Sequence, residues 1–254
     1  MFRPRIIPTL LLKDGSLVKS VKFKNYTYIG DPMNAVKLFN DFKADELVFL
    51  DIDASKDNKL ISLDIVRAVS EEANMPFSVG GGIKTIEDIH QIIGAGAEKV
   101  VLSSRAMSDP HFIKEASDIF GSSTIVVCID IKKTFFGSKV VYTNNGKKSS
   151  GYSPKEAAQL AEQNGAGEII VQSIDKDGTM SGYDLDLIKE IATSVTIPVI
   201  ALGGAGNFED MKVCFESSRA SALAAGSYFV YHDAQKGVLI SYPDSAQIQT
   251  LRQQ

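Results

Sequence analysis

Residues 44–55 read ADELVFLDIDAS, and residues 166–177 repeat the pattern as AGEIIVQSIDKD. Each segment is an apolar run that follows a glutamate and ends in acidic residues, which is typical of a buried strand that runs into a loop. Glu46 aligns with Glu168 at an offset of 168 − 46 = 122 residues. The same offset relates two further pairs of segments, 77–83 (FSVGGGI) with 199–206 (VIALGGAG) and 100–104 (VVLSS) with 222–226 (ALAAG). The sequence therefore indicates two four-stranded halves fused in tandem.

Short apolar runs alternate with amphipathic stretches along the whole chain. The helical stretches include 31–44 and 85–97, and the second opens with Thr85 as a candidate N-cap. Strands that are apolar on both faces and separated by helices indicate parallel βαβ units. We therefore predict a single (β/α)8 TIM barrel over residues 1–254, with half-barrels at about 1–122 and 123–254, and a doubly wound sheet as the alternative. The predicted strands are 5–12, 46–52, 75–79, 98–103, 124–131, 167–173, 197–202 and 220–225.

The composition argues against several classes of function. The 254 residues carry a formal net charge of −4, and no run of Lys or Arg predicts a nucleic-acid or membrane surface. Cys128 and Cys214 lie far apart in apolar contexts, so we expect no disulfide and a cytoplasmic location. The N-terminal segment does not resemble a secretory signal, and no stretch is long enough to span a bilayer. The three His residues show no ligand spacing, so we predict neither a metal nor a cofactor.

Two glycine-rich strand ends predict a phosphate-binding site. VGGGI (79–83) and LGGAG (202–206) occupy equivalent positions in the two halves. The C-terminal ends of barrel strands form the active face, and glycines there expose backbone N–H groups to an anion. Each motif is followed by a strand that ends in small residues, Ser103–Ser104 and Ala225–Gly226. Glycines at strand ends are also common in tight turns, but two motifs in register favour a ligand with a phosphate at each end.

One acidic residue at a predicted strand end differs from the others. Asp130 interrupts the buried run VVCID at its upper end, where a carboxylate is costly to bury without a purpose. We therefore predict that Asp130 acts as a functional acid or base. Its counterpart in the first half, at an offset of 130 − 11 = 119, is Leu11. For Asp53 and Asp177, a helix N-cap or a loop salt bridge is the favoured interpretation.

Charged residues also mark the opposite end of the predicted barrel. Four of them stand at or near the first residue of a strand: Arg5, Glu46, Lys99 and Glu168. Side chains of alternating sign at this end can form mutual ion pairs. Charges at strand starts are usually solvated salt bridges, so the pattern by itself favours that interpretation.

The motifs, taken in order, resemble those of one known family. The chain is similar over nearly its whole length to the cyclase subunit of imidazole glycerol phosphate synthase, through RIIP (5–8), KDG (13–15), DELVFLDI (45–52), VGGGI (79–83), GAGEI (165–169), SIDKDGT (173–179), SGYD (181–184) and GGAG (203–206). The resemblance implies a (β/α)8 barrel that binds a two-phosphate small molecule across its mouth. It also implies a heterodimer with a class I glutaminase, which docks on the opposite face and sends ammonia through the barrel core.

The same resemblance assigns expected roles to individual residues. One phosphate site is expected at Gly82, Ser103 and Ser104, and the other at Asp177, Gly178, Gly204, Ala225 and Gly226. The charged gate of the ammonia channel is expected at Arg5, Glu46, Lys99 and Glu168. Lys19 matches a lysine of the family's mobile first loop and joins Asp130 as an expected catalytic residue.

Departures from the family pattern concentrate at the predicted mouth. The family's chemistry uses one aspartate on strand 1 and one on strand 5; Asp130 matches the second, but Leu11 stands at the first. General acid–base catalysis typically contributes about 10²–10⁴-fold, so we expect cyclase activity to fall by that order or more. Three further changes are Ser103 for an asparagine, Leu202 for a serine and Phe229 for a histidine. The tail at 236–243 (KGVLISYP) replaces the usual last helix.

These departures, with the charged gate retained, resemble the family's paralogues found with surface-polysaccharide genes. The segments RPRIIPTLL (3–11) and GVLISYP (237–243) carry this resemblance. Those paralogues are associated with acetamidino modification of nucleotide-linked sugars, alongside a glutaminase and an amidotransferase-like enzyme. We therefore expect ammonia delivery for acetamidino-sugar biosynthesis in lipopolysaccharide or another surface glycan. The alternatives are the cyclase of histidine biosynthesis and a non-catalytic scaffold that activates a glutaminase.

Overall fold

The computed structural model of the chain, which describes residues 3–232 and 237–251, contains eight parallel strands that close into a barrel. The strands pair around the ring in chain order, and the last pairs with the first. Each predicted strand is present, so the predicted (β/α)8 fold is confirmed. The barrel strands are β1 (Arg5–Lys13), β4 (Leu47–Asp51), β5 (Phe77–Gly80), β6 (Lys99–Leu102), β7 (Ile125–Lys133), β10 (Glu168–Ser173), β11 (Val199–Leu202) and β12 (Ala222–Ala225).

Helices cover the outside of the barrel, and several of their starts follow directly from the sequence. Asp31 caps the first helix by accepting hydrogen bonds from the N–H groups of Met33 and Asn34. Thr85 caps the third helix as predicted, in a reciprocal capping box with Asp88. The helices are α1 (Pro32–Phe42), α2 (Leu63–Glu72), α3 (Ile86–Gly94), α4 (Ser104–Ser108), α5 (His111–Phe120), α6 (Pro154–Gln163), α7 (Leu185–Ala192), α8 (Phe208–Ser218), α9 (Ser227–Val230) and α10 (Ser245–Thr250), with a 3-10 turn at Ser122–Thr124.

Two antiparallel extensions at the barrel mouth were not anticipated from the sequence. The first hairpin consists of β2 (Ser16–Val21) and β3 (Lys24–Gly30), and the second of β8 (Lys139–Thr143) and β9 (Lys148–Ser149). Each pairs with the end of the barrel strand before it. Their strands are short and contain many polar residues, so they lack the long apolar runs that identified the barrel strands.

The two halves match in structure as well as in sequence. The helices α1 and α6 start 154 − 32 = 122 residues apart, so the change of offset from 119 to 122 arises within the hairpins. Leu11 pairs with Leu50 on the next strand, and Asp130 pairs with Gln172. Leu50 and Gln172 are themselves 172 − 50 = 122 residues apart. The pairing of β1 with β4 and of β7 with β10 therefore supports the alignment of Leu11 with Asp130.

Apolar side chains pack in two separate layers. The larger layer fills the space between the barrel and the surrounding helices. Because side chains alternate along a strand, every second residue instead points into the barrel. The resulting inner layer consists of Ile7, Val48, Val101, Val126, Cys128, Ile170, Ile200, Leu202, Ala222 and Ala224, with Leu50 packed against it.

The C-terminal tail packs back onto the barrel. Its predicted start, residue 236, lies outside the described residues, and 237–243 contain no helix before α10 begins. Tyr242 anchors the tail, because its hydroxyl donates to the backbone oxygen of Ile6 at 2.9 Å and accepts from the N–H of Asp45 at 3.1 Å. The tail therefore lies against the starts of the first two barrel strands.

Candidate functional site at the barrel mouth

The C-terminal ends of the barrel strands surround a cavity of about 520 Å³. This volume is typical of a site for a small molecule. Leu11 lines the cavity, and so do nine of the ten residues predicted for catalysis or phosphate binding: Lys19, Gly82, Ser103, Ser104, Asp130, Asp177, Gly178, Gly204 and Gly226. The structure therefore brings these residues together above the inner layer.

Two residues that the sequence analysis placed at the mouth lie elsewhere. The Ala225 side chain points into the outer layer because it alternates with the inward-facing Ala224, so it does not line the cavity. Phe229 is fully buried in the outer layer. Its ring stacks on Tyr242 with 5.6 Å between centroids and meets Phe39 edge-on at 6.3 Å. The expectation that Phe229 alters the mouth was wrong, because α9 carries this residue away from the cavity.

Asp130 is a buried carboxyl group at the cavity surface. It accepts a hydrogen bond from the Ser103 hydroxyl at 3.3 Å and a weak one from the Cys128 thiol at 3.5 Å. Burial raises the pKa of Asp130 to about 7, although these two hydrogen bonds lower it; the negative charge of Asp177 adds to the increase. A carboxyl group with this pKa gains and loses a proton near neutral pH, as general acid–base catalysis requires.

Leu11 leaves the equivalent position on β1 without a proton-transfer group. The strand β1 contains no acidic residue. Within the described part of the chain, the other acids that line the cavity are Asp51 and Asp177. Asp51 accepts two backbone N–H groups of the turn after β4, at 3.0 and 3.1 Å, which fixes its carboxylate there. Asp177 is engaged by the first hairpin, so both carboxylates are held by neighbouring groups.

Asp177 and Gly178 hold the first hairpin against the mouth. Asp177 accepts a hydrogen bond from the Ser20 hydroxyl at 2.7 Å and another from a backbone N–H of the hairpin at 3.3 Å. A Cβ on Gly178 would clash with the backbone oxygen of Ser20, so this close approach requires glycine. The favoured interpretation of Asp177 as an N-cap or salt bridge was therefore wrong. For Asp53 it was right, since this residue pairs with Lys13 at 2.6 Å.

Lys19 reaches from the first hairpin to the end of β12. Its ammonium group donates to the backbone oxygen of Thr9 at 2.6 Å and lies directly against Gly226. Burial lowers the pKa of Lys19 to about 8, and the negative charge of Asp177 opposes this change. Lys19 thus stands at the second end of the cavity, defined by Gly204 and Gly226, where a bound anion would favour its charged form.

The second hairpin reaches the first end of the cavity, defined by Gly82 and Ser104. The Ser104 hydroxyl accepts a hydrogen bond from the N–H of Asn144 at 2.9 Å. Asn144 and Asn145 have φ values of 52° and 56°, a left-handed conformation that Asn tolerates and that turns the chain over the cavity. The sequence analysis missed three cations that line the cavity because they lie outside the glycine motifs: Lys84, Arg105 and Lys148.

The four charged residues at the opposite end of the barrel form a closed ring of ion pairs. Arg5 contacts Glu46 at 2.5 Å and Glu168 at 2.8 Å, and Lys99 contacts the same two carboxylates at 3.2 and 3.3 Å. Ser78, which the sequence analysis missed, donates a further hydrogen bond to Glu46 at 2.9 Å. Since Glu46 is only 3% exposed, the ring is a partly buried network rather than a set of solvated surface pairs.

The inner apolar layer lies between the ring and the cavity. Alternate residues of β1 trace the path: Arg5 belongs to the ring, Ile7 to the inner layer, and Thr9 and Leu11 to the cavity. An apolar interior admits a small neutral molecule far more easily than an ion. Thr9 Oγ1 and Gln172 Oε1 are buried without a hydrogen-bond partner in the described structure, and both residues line the cavity. These oxygens are available to a ligand.

Residues 3–232 and 237–251 contain neither a metal-binding cluster nor a membrane-spanning helix. No cluster of three or more His, Cys, Asp or Glu side chains in these ranges is arranged to hold a metal ion. None of the helices found there combines the length and apolar character needed to cross a membrane. Cys128 and Cys214 are both buried with free thiols.

Comparison with known proteins places the chain among biosynthetic barrels. The family model described as histidine biosynthesis protein matches residues 5–235. A putative imidazole glycerol phosphate synthase subunit hisF2 of Pseudomonas aeruginosa is 47% identical over 244 residues, which cover 96% of this chain and 97% of the relative. A putative subunit HisF of Leptospira interrogans is 44% identical over 96% of each chain. The imidazole glycerol phosphate synthase subunit HisF of Streptococcus mutans is 45% identical over 91% of this chain and 92% of its own.

Proposed function

Because the chain belongs to the histidine biosynthesis protein family, among its imidazole glycerol phosphate synthase HisF subunits, we propose that it is an ammonia-channelling synthase subunit. A class I glutaminase binds as the second subunit of a heterodimer at the ion-pair ring and releases ammonia from glutamine. The ammonia crosses the barrel along its axis and reaches a phosphorylated small molecule in the cavity. The closed ring beneath an apolar barrel interior is the observation that carries this proposal.

The construction of the ring supports its role as a gate. Arg5 and Lys99 each contact both Glu46 and Glu168, so one ion pair can break while every charge keeps a partner. Leaving a buried charge wholly unpaired would be strongly destabilising. The inner layer above the ring contains only apolar residues and one cysteine, which favours neutral ammonia over ammonium. The ring thus admits the partner's product while the layer above it keeps ions and water out.

The residues at the mouth support a reaction other than closure of an imidazole ring. Asp130 is suited to proton transfer at neutral pH, but Leu11 removes the second group that the cyclase reaction uses. Ser103 and Leu202 change the cavity surface further. We infer that the ammonia serves acetamidino-sugar biosynthesis for lipopolysaccharide or another surface glycan. In this scheme an amidotransferase-like enzyme works with the complex on a nucleotide-linked sugar.

Two other functions remain as alternatives, and each has its own support. The cyclase of histidine biosynthesis is favoured by the relatives that carry that subunit's name without qualification. A non-catalytic scaffold that activates a glutaminase is favoured by the loss of the acid at Leu11. Ammonia release by the pair, with none consumed until a further protein is added, would support the scaffold. Incorporation of ammonia by the barrel and glutaminase alone would argue against it.

The gate is tested by reversing one charge of the ring, as in Lys99→Glu. The assay contains the glutaminase complex, the amidotransferase-like enzyme, an acetamido-bearing nucleotide sugar and ATP to activate the amide oxygen that ammonia displaces. It also contains glutamine labelled with ¹⁵N in its amide group and excess unlabelled ammonium. Channelled ammonia keeps the label, so the wild-type product should be mainly ¹⁵N. Lys99→Glu places a third carboxylate in the ring, so we expect glutamine hydrolysis to continue while the product takes its nitrogen from solution.

Lys114→Glu is the matched control for this experiment. Lys114 pairs with Asp118 at 2.9 Å on the exposed face of α5, and 55% of its side chain is accessible. The variant Lys114→Glu therefore makes the same change of charge at a site away from the ring. Its product should retain the label as the wild type does. Mass spectrometry of the product gives the label fraction, and circular dichroism checks the fold. Equal label retention by Lys99→Glu and wild type would show that the ring is not a gate.

A further inference from the structure

Three cations gather at the first end of the cavity, around Gly82 and Ser104. Arg105 follows Ser104 directly in α4. Lys84 lies two residues beyond Gly82 on the neighbouring strand-to-helix loop. Lys148 lies in β9, beside the turn that donates a hydrogen bond to Ser104. All three residues line the cavity, so three positively charged residues lie at one end of it.

Neighbouring side chains neutralise these cations only in part. Arg105 pairs with Asp109 at 2.8 Å through one terminal nitrogen, while its Nε is buried with no hydrogen-bond partner in the described structure. Lys84 donates to the neutral side chain of Asn58. Lys148 enters no ion pair with any described residue. The ammonium groups of Lys84 and Lys148 are therefore available to an anion.

Two acids lie on the same side of the cavity and do not cancel the positive charge. Asp51 is held by backbone N–H groups of its own turn, and Asp130 contacts Ser103. Burial raises the pKa of both carboxyl groups, which disfavours their charged forms. The first end therefore keeps an excess of positive charge.

The internal repeat supplies a comparison within the same molecule. The second end has the same pair of glycine-rich strand ends, 122 residues along the chain. The cation at the second end is Lys19, and the negative charge of Asp177 partly offsets the lowering of the Lys19 pKa by burial. At the offset of 122 residues, the equivalents of Lys84 and Arg105 are Gly206 and Ser227. The strand registers of the two hairpins make Thr27 the equivalent of Lys148. The two ends thus share a backbone plan but differ in charge.

We propose that the first end binds a diphosphate group and that the second end holds the less charged remainder of the same ligand. A diphosphate presents acceptor oxygens on two phosphorus atoms and carries more negative charge at neutral pH than a monophosphate, which matches three cations. The Arg105 guanidinium, which lies over the Phe112 ring at 5.1 Å, adds positive charge beside one phosphate, while Lys84 and Lys148 act as flexible point charges on the other. The inference rests on the proposed function and names its ligand class, a diphosphate ester such as a nucleotide-linked sugar.

The test compares two inorganic probes, pyrophosphate and orthophosphate, by calorimetric titration of the purified chain at fixed ionic strength. We expect pyrophosphate to bind at least about tenfold more tightly, because its second phosphate gains charge-assisted hydrogen bonds. In the double variant Arg105→Gln/Lys148→Gln the preference for pyrophosphate should fall below about threefold, since two of the three cations that distinguish the two ends are removed. Lys148→Gln alone should reduce the preference for pyrophosphate by an intermediate factor. This single variant provides the test if the double variant does not fold.

Lys155→Gln is the control, because Lys155 is exposed on α6 and does not line the cavity. It should leave the preference for pyrophosphate unchanged. Equal affinity of the wild type for both anions, or a preference that survives in the folded double variant, would overturn the proposal. The titration uses neither glutaminase nor ammonia. Failure here is therefore distinct from failure of the gate experiment, which tests the proposed function itself.

Discussion

At the scale of single residues, Leu11 and Asp130 hold matching positions in two halves of one barrel, and only one of them can carry a proton. The sequence repeat was sufficient to reveal this difference, and the pairing of each strand with the strand that follows it supports the alignment. The structure adds that both side chains line the same cavity and that burial brings the pKa of Asp130 to about 7. Of these two matching positions, only Asp130 carries a carboxyl group.

The buried carboxyl group of Asp130 should leave a trace in the dependence of stability on pH. Its pKa is raised from 3.8 to about 7, so between these values the folded protein holds a proton that the unfolded chain releases. Its folded state therefore loses stability as the pH rises through this range. Asp130→Asn does not titrate. The free energy of unfolding of Asp130→Asn relative to wild type should therefore rise from pH 4 to 7 and then level off. The total rise should be roughly 2–4 kcal/mol, at about 1.4 kcal/mol per pKa unit.

Urea unfolding at a series of pH values measures this difference. Asp57→Asn removes a carboxylate from an exposed loop and is measured alongside as the control. A difference for Asp130→Asn that does not change with pH, or that follows the curve of Asp57→Asn, would mean that the carboxyl group is not buried as described.

At the scale of elements, the two hairpins are the features that sequence patterns did not predict. Their strands are short and mix polar with apolar residues, so hydrophobic periodicity gives a weak signal. They contact loops that are distant in the sequence. The first hairpin rests on Asp177 and Gly178, and the second on Ser104. They also meet each other, because the Asn145 amide donates to the Tyr26 hydroxyl at 3.0 Å. Together they cover both ends of the cavity.

Gly178→Ala should displace the first hairpin. The residue has φ of +66°, and an added Cβ would clash with the backbone of Ser20. We expect a loss of about 2–4 kcal/mol in the free energy of unfolding, from the strained conformation together with the overpacking. Lys19, 6% exposed in the wild type, should become reactive toward an amine-modifying reagent, as read by peptide mass spectrometry.

A second glycine separates the effect of the strained backbone conformation from the effect of the close contact with Ser20. Gly151 also has positive φ, +88°, but nothing lies within 4 Å of an added Cβ. Gly151→Ala should therefore lose only about 1 kcal/mol and leave Lys19 protected. If Gly178→Ala behaves no differently from Gly151→Ala, the hairpin is not held by this contact.

At the scale of the whole molecule, the sequence was sufficient for the barrel and for most of the cavity, and the failures have physical causes. Strands buried on both faces produce long apolar runs, so all eight were recognised. Ala225 and Phe229 were misplaced because sequence position does not show which side of a strand end or short helix faces the mouth. Arg105 was missed because its position at the cavity depends on the way α4 begins, not on a motif.

The three functional regions follow one axis through the molecule. A ring of ion pairs closes one end of the barrel, an apolar layer fills the middle, and a cavity with a single proton-transfer carboxyl group opens at the other end. This order supports delivery of ammonia from a partner to a ligand. The absence of the second acid at Leu11 supports a ligand and reaction different from those of the cyclase. The central claim is that this barrel retains ammonia delivery but has lost the cyclase reaction.

One measurement tests that claim most directly: turnover of the family's aminoimidazole ribonucleotide substrate by the purified chain in excess ammonium, which removes any need for the glutaminase. We expect turnover at or near background for the wild type, because Asp130 alone remains. Leu11→Asp should restore part of the activity but not all, since Ser103 and Leu202 still change the cavity and a misplacement of about 1 Å can itself cost roughly 10²-fold. Robust turnover by the wild type would contradict the account and make Leu11 a tolerated substitution in a histidine-pathway cyclase.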